Sequence, residues 1–184
     1  MNGSKTRDDS RRVFHTKGKL VGLAEFLPQD YEPFYQAWQD PATQRNFNST
    51  YDWESYEDFL AMFTHPDRPP QRFTATIVCL QDQATVGRIS LAPAHLEPDL
   101  GIWIYEPFRF KGYGTEAVRL AVDYIFRELK LDYIIAGIYE FNRPSVNLFT
   151  KVGFAREPEL DEAEESVFGE GQIVQLGFRL NRRI

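Results

Sequence analysis

The sequence predicts one α/β domain built on a mixed, mainly antiparallel sheet with flanking helices. Three observations carry that expectation. Strand-like runs at 72–80, 85–92 and 100–105 are separated only by short turns, as in an antiparallel meander. From 100 to 139 the pattern changes to strand, helix, strand, which within one sheet implies a right-handed parallel crossover. No repeat and no convincing linker interrupts the 184 residues, a length that suits a single core.

The elements follow in order. Residues 1–18 are polar and aperiodic and read as a largely disordered arm, with Arg11-Arg12 as solvated tail, leaving 19–184 as the folded domain. Residues 20–26 read as a strand. Pro28-Gln29-Asp30 opens a helix reaching about Gln39, and Asp40-Pro41 stops it. A second helix over 53–63 carries Tyr56, Phe59, Leu60 and Phe63 on one stripe, which suits core packing or the wall of a cleft. After the meander, 114–129 is a helix with Ala117, Leu120, Ala121, Tyr124 and Ile125 inward. The apolar run in 133–139 fits a strand buried on both faces. A short helix over 144–151 starts at Pro144 and ends at Gly153. Closing strands at 154–160 and 172–180 flank an acidic loop.

Composition narrows the function. A formal charge of −6 speaks against general nucleic-acid binding, which needs a basic footprint. No run approaches the roughly 18 apolar residues of a membrane span. The one cysteine, Cys79, lies in an apolar run and reads as core filler, which fits a reducing cytoplasm and no zinc site. His95 reads as a surface turn residue.

The segment Arg109-Phe110-Lys111-Gly112-Tyr113-Gly114-Thr115 carries the sharpest chemical signal. Gly112 and Gly114 allow a ligand close to the backbone, and the next helix offers unpaired first-turn amides at its positive end. A pyrophosphate fits there, with Arg109 and Lys111 adding charge at the rim. Gly112-Tyr113-Gly114-Thr115-Glu116-Ala117 with Glu140 also fits a dinucleotide fingerprint. There the glycines follow the strand directly, whereas here 106–111 intervene, and the preceding meander speaks against that reading.

These residues resemble the R/Q-x-x-G-x-G/A segment of the GCN5-related N-acetyltransferase (GNAT) superfamily. Asn142-Arg143-Pro144-Ser145 and Lys151-Val152-Gly153-Phe154 resemble its second signature. Gly18-Lys19-Leu20-Val21, Asp30 and Asp40-Pro41 are similar to its ribosomal-protein N-terminal-amine branch. The resemblance covers about 18–180 and implies two splayed, parallel central strands, 100–105 and 133–139. Pantetheine would lie between them, bonded to backbone around Ile104 and Tyr105, with Asn142 and Ser145 alongside the cofactor. The implied reaction is direct acetyl transfer from acetyl-CoA to a primary amine, without metal or covalent enzyme intermediate. Asp99 matches the acid that many relatives use through water, with Glu97 as its rival. Phe149 stands where relatives often carry a tyrosine acid, so Tyr139 or solvent would protonate the thiolate. A peptide or protein N-terminal amine is the expected acceptor, with a polyamine or aminoglycoside as alternative; the acidic loop would suit such cations, or be merely solvated. A non-catalytic acyl-CoA-binding module is the contrasting reading. A homodimer is compatible with the chain.

Overall fold

The computed structural model describes residues 12–50 and 53–183. Five strands form one antiparallel sheet in sequence order: β1 (Phe14–Lys17), β2 (Val21–Glu25), β3 (Gln71–Cys79), β4 (Thr85–Pro93) and β5 (Leu100–Ile104). The second sheet places β9 (Gln172–Asn181) between β6 (Tyr133–Tyr139) and β7 (Ala155–Arg156), with β8 (Glu162–Glu165) also pairing to β9. The sheets meet at one parallel bridge, Asp99 to Ile135, where the Ile135 amide donates to the Pro98 carbonyl at 3.0 Å. Beyond it β5 and β6 run apart. The expected mixed α/β architecture with a splayed parallel pair is the one found.

Helices cover both faces. α4 (Tyr113–Tyr124, prolonged by a π-helical turn to Leu129) and α5 (Arg143–Val152) pack on one side. There Ala117, Val118, Ala121 and Ile125 join Ile77, Ile89, Leu91 and Ile134 in the main core. α1 (Tyr31–Trp38), α2 (Pro41–Asn46) and α3 (Tyr56–Thr64) cover the other side of β3–β5. Phe34, Trp38, Phe59 and Tyr105 form a second, aromatic core there. Full burial of a ring such as Phe59 contributes about 2–3 kcal/mol, which anchors α3 through one residue.

Several expectations need correction. The arm boundary is misplaced: residues 14–17 form β1, because β2 offers an edge that only a neighbouring strand satisfies. Residues 1–11 lie outside the described residues. Arg12 is no solvated tail, since it forks onto the buried Asp30 at 2.6 and 2.9 Å. Asp40-Pro41 starts a helix as well as ending one: Asp40 caps α2 by accepting from the Ala42 and Thr43 amides, and Pro41 occupies the first helical position. Of the closing strand expected at 154–160, only Ala155–Arg156 pairs, and a 3-10 turn follows. The acidic segment instead supplies β8, pinned to the turn after α2 by Asn48, whose side-chain amide donates to Glu164 at 2.7 Å.

Candidate active site

The gap between β5 and β6 opens into a cavity of about 890 Å³ that reaches the first turn of α4 on one side and α1–α3 on the other. Its walls follow from strand alternation. The Tyr105 amide donates to the Val86 carbonyl and the Ala92 amide to the Asp99 carbonyl, so 99, 101, 103 and 105 turn their backbone groups towards β4. Ile102 and Ile104 therefore turn theirs into the gap. On β6 the Glu140 amide donates to the Val174 carbonyl, which leaves 135, 137 and 139 facing the gap from the other side. The expectation at Tyr105 is thus corrected. Its backbone belongs to the sheet, its ring to the aromatic core, and Ile102 takes its place in the gap. The Ile104 carbonyl faces the gap but accepts from Arg109 Nε at 3.0 Å.

The glycine loop lies beyond the end of β5. Gly112 has φ +84° and a nearly open side, so the position needs glycine for its conformation. Gly114 serves another purpose: a Cβ there would stand 2.8 Å from Leu148 Cδ1, so its absence leaves room for the Leu148 side chain of α5 against α4. No side chain caps α4, and the amides of Tyr113, Gly114 and Thr115 start the helix without a side-chain acceptor. Gly112, Gly114 and Thr115 line the cavity. Phe110 has φ +61° and is 91% exposed. Lys111 and Tyr113 are not among the lining residues; the Lys111 ammonium lies over the Phe108 ring, and the Tyr113 hydroxyl sits 3.6 Å from Cys79 Sγ.

Arg109 does not supply free charge at the rim. Its Nη2 donates to Asp40 Oδ2 at 2.7 Å and to Thr43 Oγ1 at 2.8 Å, tying the glycine loop to the start of α2. Burial raises the Asp40 pKa, but the bonds from Arg109, Thr43 and Ala42 prevail and hold it below the usual carboxylate value. Arg109→Ala should lower stability by about 1–3 kcal/mol, since it leaves a half-buried carboxylate without its partner. Thermal unfolding with and without CoA checks this, and an unchanged melting temperature contradicts the latch.

At the opposite end, Asp99 lines the cavity where the strands converge, and the Gly137 amide approaches its Oδ1 at 3.4 Å. Burial pushes the Asp99 carboxyl up to about 6, with Glu162 adding to the rise and the Gly137 amide opposing it. Glu97 is outside: it is exposed and accepts from the Tyr133 hydroxyl at 2.6 Å. Tyr139 lines the cavity, but its hydroxyl donates to Glu164. Burial and that carboxylate hold the phenol above its ordinary pKa, which weakens it as an acid. Asn142 caps α5 through the Ser145 amide at 3.3 Å, and both residues line the cavity. Phe149 is buried against Phe154. Among the described residues no group of His, Cys, Asp and Glu could hold a metal. None of their helices is long and apolar enough to cross a membrane.

The structure thus brings together Asp99, Tyr139, Ile104, Tyr105, Arg109, Phe110, Gly112, Gly114, Thr115, Asn142 and Ser145 around one cavity. It leaves Glu97, Lys111 and Tyr113 outside it. Sequence reasoning missed Ile102, Ser90, Arg68 and Arg88, all of which line the cavity.

Comparison with known proteins bears on the family and the fold. The family model for the acetyltransferase (GNAT) domain matches residues 21–155. The chain is 26% identical over 145 residues to the uncharacterized N-acetyltransferase YnaD of Bacillus subtilis (strain 168), spanning 78% of this chain and 84% of that protein. With the SPbeta prophage-derived uncharacterized N-acetyltransferase YokL of the same organism it is 35% identical over 57 residues, and there it spans only 32% of the relative's length. Spermidine N-acetyltransferase from Vibrio cholerae, solved with CoA and spermine, superposes with a TM-score of 0.72 at 20% identity. That superposition covers 88% of this chain and 95% of the other, and it shows a shared fold.

Proposed function

The chain belongs to the acetyltransferase (GNAT) family of acyltransferases, and on that premise we propose that it transfers the acetyl group of acetyl-CoA to a primary amine in the β5–β6 cavity. One observation carries the reading. The same gap has inward-facing backbone groups along its walls, an uncapped helix N-terminus at one end and a carboxyl with a near-neutral pKa at the other. β5 spans about 17 Å at roughly 3.3 Å per residue, comparable with an extended pantetheine arm. Ile102, facing the gap, would bond that arm as a neighbouring strand does, with Asn142 and Ser145 on the other side. The Gly112–Thr115 turn would hold the pyrophosphate.

When bound, acetyl-CoA supplies an activated acetyl thioester. The residues supply position and proton traffic. Asp99, ionised above about pH 6, accepts the amine's proton through a water as nitrogen attacks the carbonyl. Solvent protonates the departing thiolate, because Phe149 has no proton to give and the Tyr139 hydroxyl is committed to Glu164. The acceptor in this reading is an α-amine of a peptide or peptide-like molecule, the class suggested by the likeness to the ribosomal-protein N-terminal-amine branch. A polyamine is the second reading, favoured by the fold shared with a spermidine enzyme. Against it, the acidic strand β8 contributes no residue to the cavity lining. Free-thiol release, followed with peptide, amino-acid, polyamine and aminoglycoside acceptors and by product mass, tests the reading. Acetylated amine is expected. Tight acetyl-CoA binding without turnover on any acceptor would instead support a binding module.

A further inference from the structure

The part of the cavity that α1–α3 cover is built around a cation. Arg88 is only 8% exposed and lines the cavity. Among the described residues no carboxylate pairs with it. Its guanidinium lies in a cage of rings, 4.6 Å from the centroid of Phe34, 5.2 Å from Phe26 and 5.5 Å from Trp103. Rings offset part of the desolvation of a buried charge, but they leave its N–H groups without acceptors. Burial lowers the Arg88 pKa to about 10, so it stays protonated at neutral pH.

The neighbouring polar groups have the same deficit. Across the sheet Thr76, Arg88 and Trp103 stand side by side in register. Arg88 Nε, Trp103 Nε1 and the Tyr105 hydroxyl are buried without hydrogen-bond partners among the described residues, and all three residues line the cavity. Guanidinium and indole nitrogens only donate. Burial, with Asp30 nearby, keeps the Tyr105 phenol protonated as a third donor. Buried donors without acceptors are uncommon and costly, so a group of them in one cavity points to a missing acceptor. Arg68 also lines the cavity, whereas Asp99 is the sole carboxylate among its described lining residues. A polycation would face repulsion there.

We propose that Arg88, with Trp103 and Tyr105 beside it, binds an oxyanion of the acceptor, so that the substrate class is a primary amine carrying a carboxylate several bonds from its nitrogen. The inference rests on the cavity being the acetyl-transfer site. The separation follows from register. Ala92, the partner of Asp99, lies four residues along β4 from Arg88, or about 13 Å at roughly 3.3 Å per residue. The side chains shorten that span, and the molecule bridges the remainder. A dipeptide's terminal carboxylate and an acidic side chain beside a free N-terminus share this chemistry.

The test uses the full chain with acetyl-CoA and matched acceptors: dipeptides with a free or amidated C-terminus, Asp- or Glu-first against Asn- or Gln-first peptide amides, and spermidine. The carboxylated member of one or both pairs should show the lower KM, and which pair responds identifies the source of the carboxylate. Arg88→Met should raise the KM of that acceptor roughly 10- to 100-fold with a smaller change in kcat, and remove the difference between acid and amide. Arg88→Lys should restore part of it. If the variants fail to fold, the wild-type panel still decides. Equal kcat/KM for acid and amide, or a preference for spermidine, overturns the proposal and leaves acetyl transfer standing. Acetyl-CoA binding without acetylation of any member overturns both.

Discussion

Asp99→Asn is expected to lower kcat by about 10²- to 10⁴-fold, the usual contribution of a positioned general base, while acetyl-CoA affinity stays unchanged. The substitution keeps the shape of the side chain and the oxygen that faces the Gly137 amide, so the junction of β5 and β6 should survive. Only the proton acceptor is lost. The pH dependence has a definite sign. Asp99 works as a base when ionised, and its pKa is raised to about 6. Wild-type kcat/KM, which reports the ionisation of the free enzyme, should therefore fall as pH drops through about 6, and this limb should be missing from the residual activity of the variant. Steady-state kinetics between pH 5 and 8, taken with direct acetyl-CoA binding, check both points. Normal turnover in Asp99→Asn removes the residue from the mechanism.

Gly112→Asp should weaken CoA binding by at least roughly 10²-fold without unfolding the protein. At about 4 Å in a medium of effective dielectric near 20, one like-charge pair costs about 4 kcal/mol, and pyrophosphate brings more than one charge. The substitution also meets a left-handed backbone at φ +84°, which asparagine and aspartate tolerate better than other residues. Gly112→Asn isolates the charge, because it shares the backbone demand and lacks the carboxylate. Calorimetric titration with CoA should give strong loss for Asp and modest loss for Asn. Equal affinities in the two variants would show that no phosphate sits at this turn.

The legible part of the fold was the part that local chemistry controls. Strand-like runs between short turns gave β3, β4 and β5, helical spacing gave α4, and the glycines marked the loop before it. Two chain regions misled. Asp40-Pro41 looked like a stop, because the Pro that ends α1 also occupies the first position of α2. Residues 14–17 look unstructured alone and become a strand only on β2.

The site was legible where a motif names residues and obscure where burial or register decides. Arg109 looked like free charge, and its acid lies 69 residues away. Tyr105 in place of Ile102 is an error of one residue in strand parity, fixed only by seeing the Tyr105 amide bonded to Val86. Arg88 and Ser90 alternate with apolar residues, the pattern of a solvent-facing strand surface. Helices α1–α3 cover that surface and turn an ordinary arginine into a buried one.

A crystal structure of the full chain with acetyl-CoA tests the central claim most directly. The pantetheine should lie between β5 and β6 bonded to the Ile102 backbone, with pyrophosphate on the amides after Gly112 and the thioester one water from Asp99. Density for the donor outside that gap, with the gap still empty, would contradict the account.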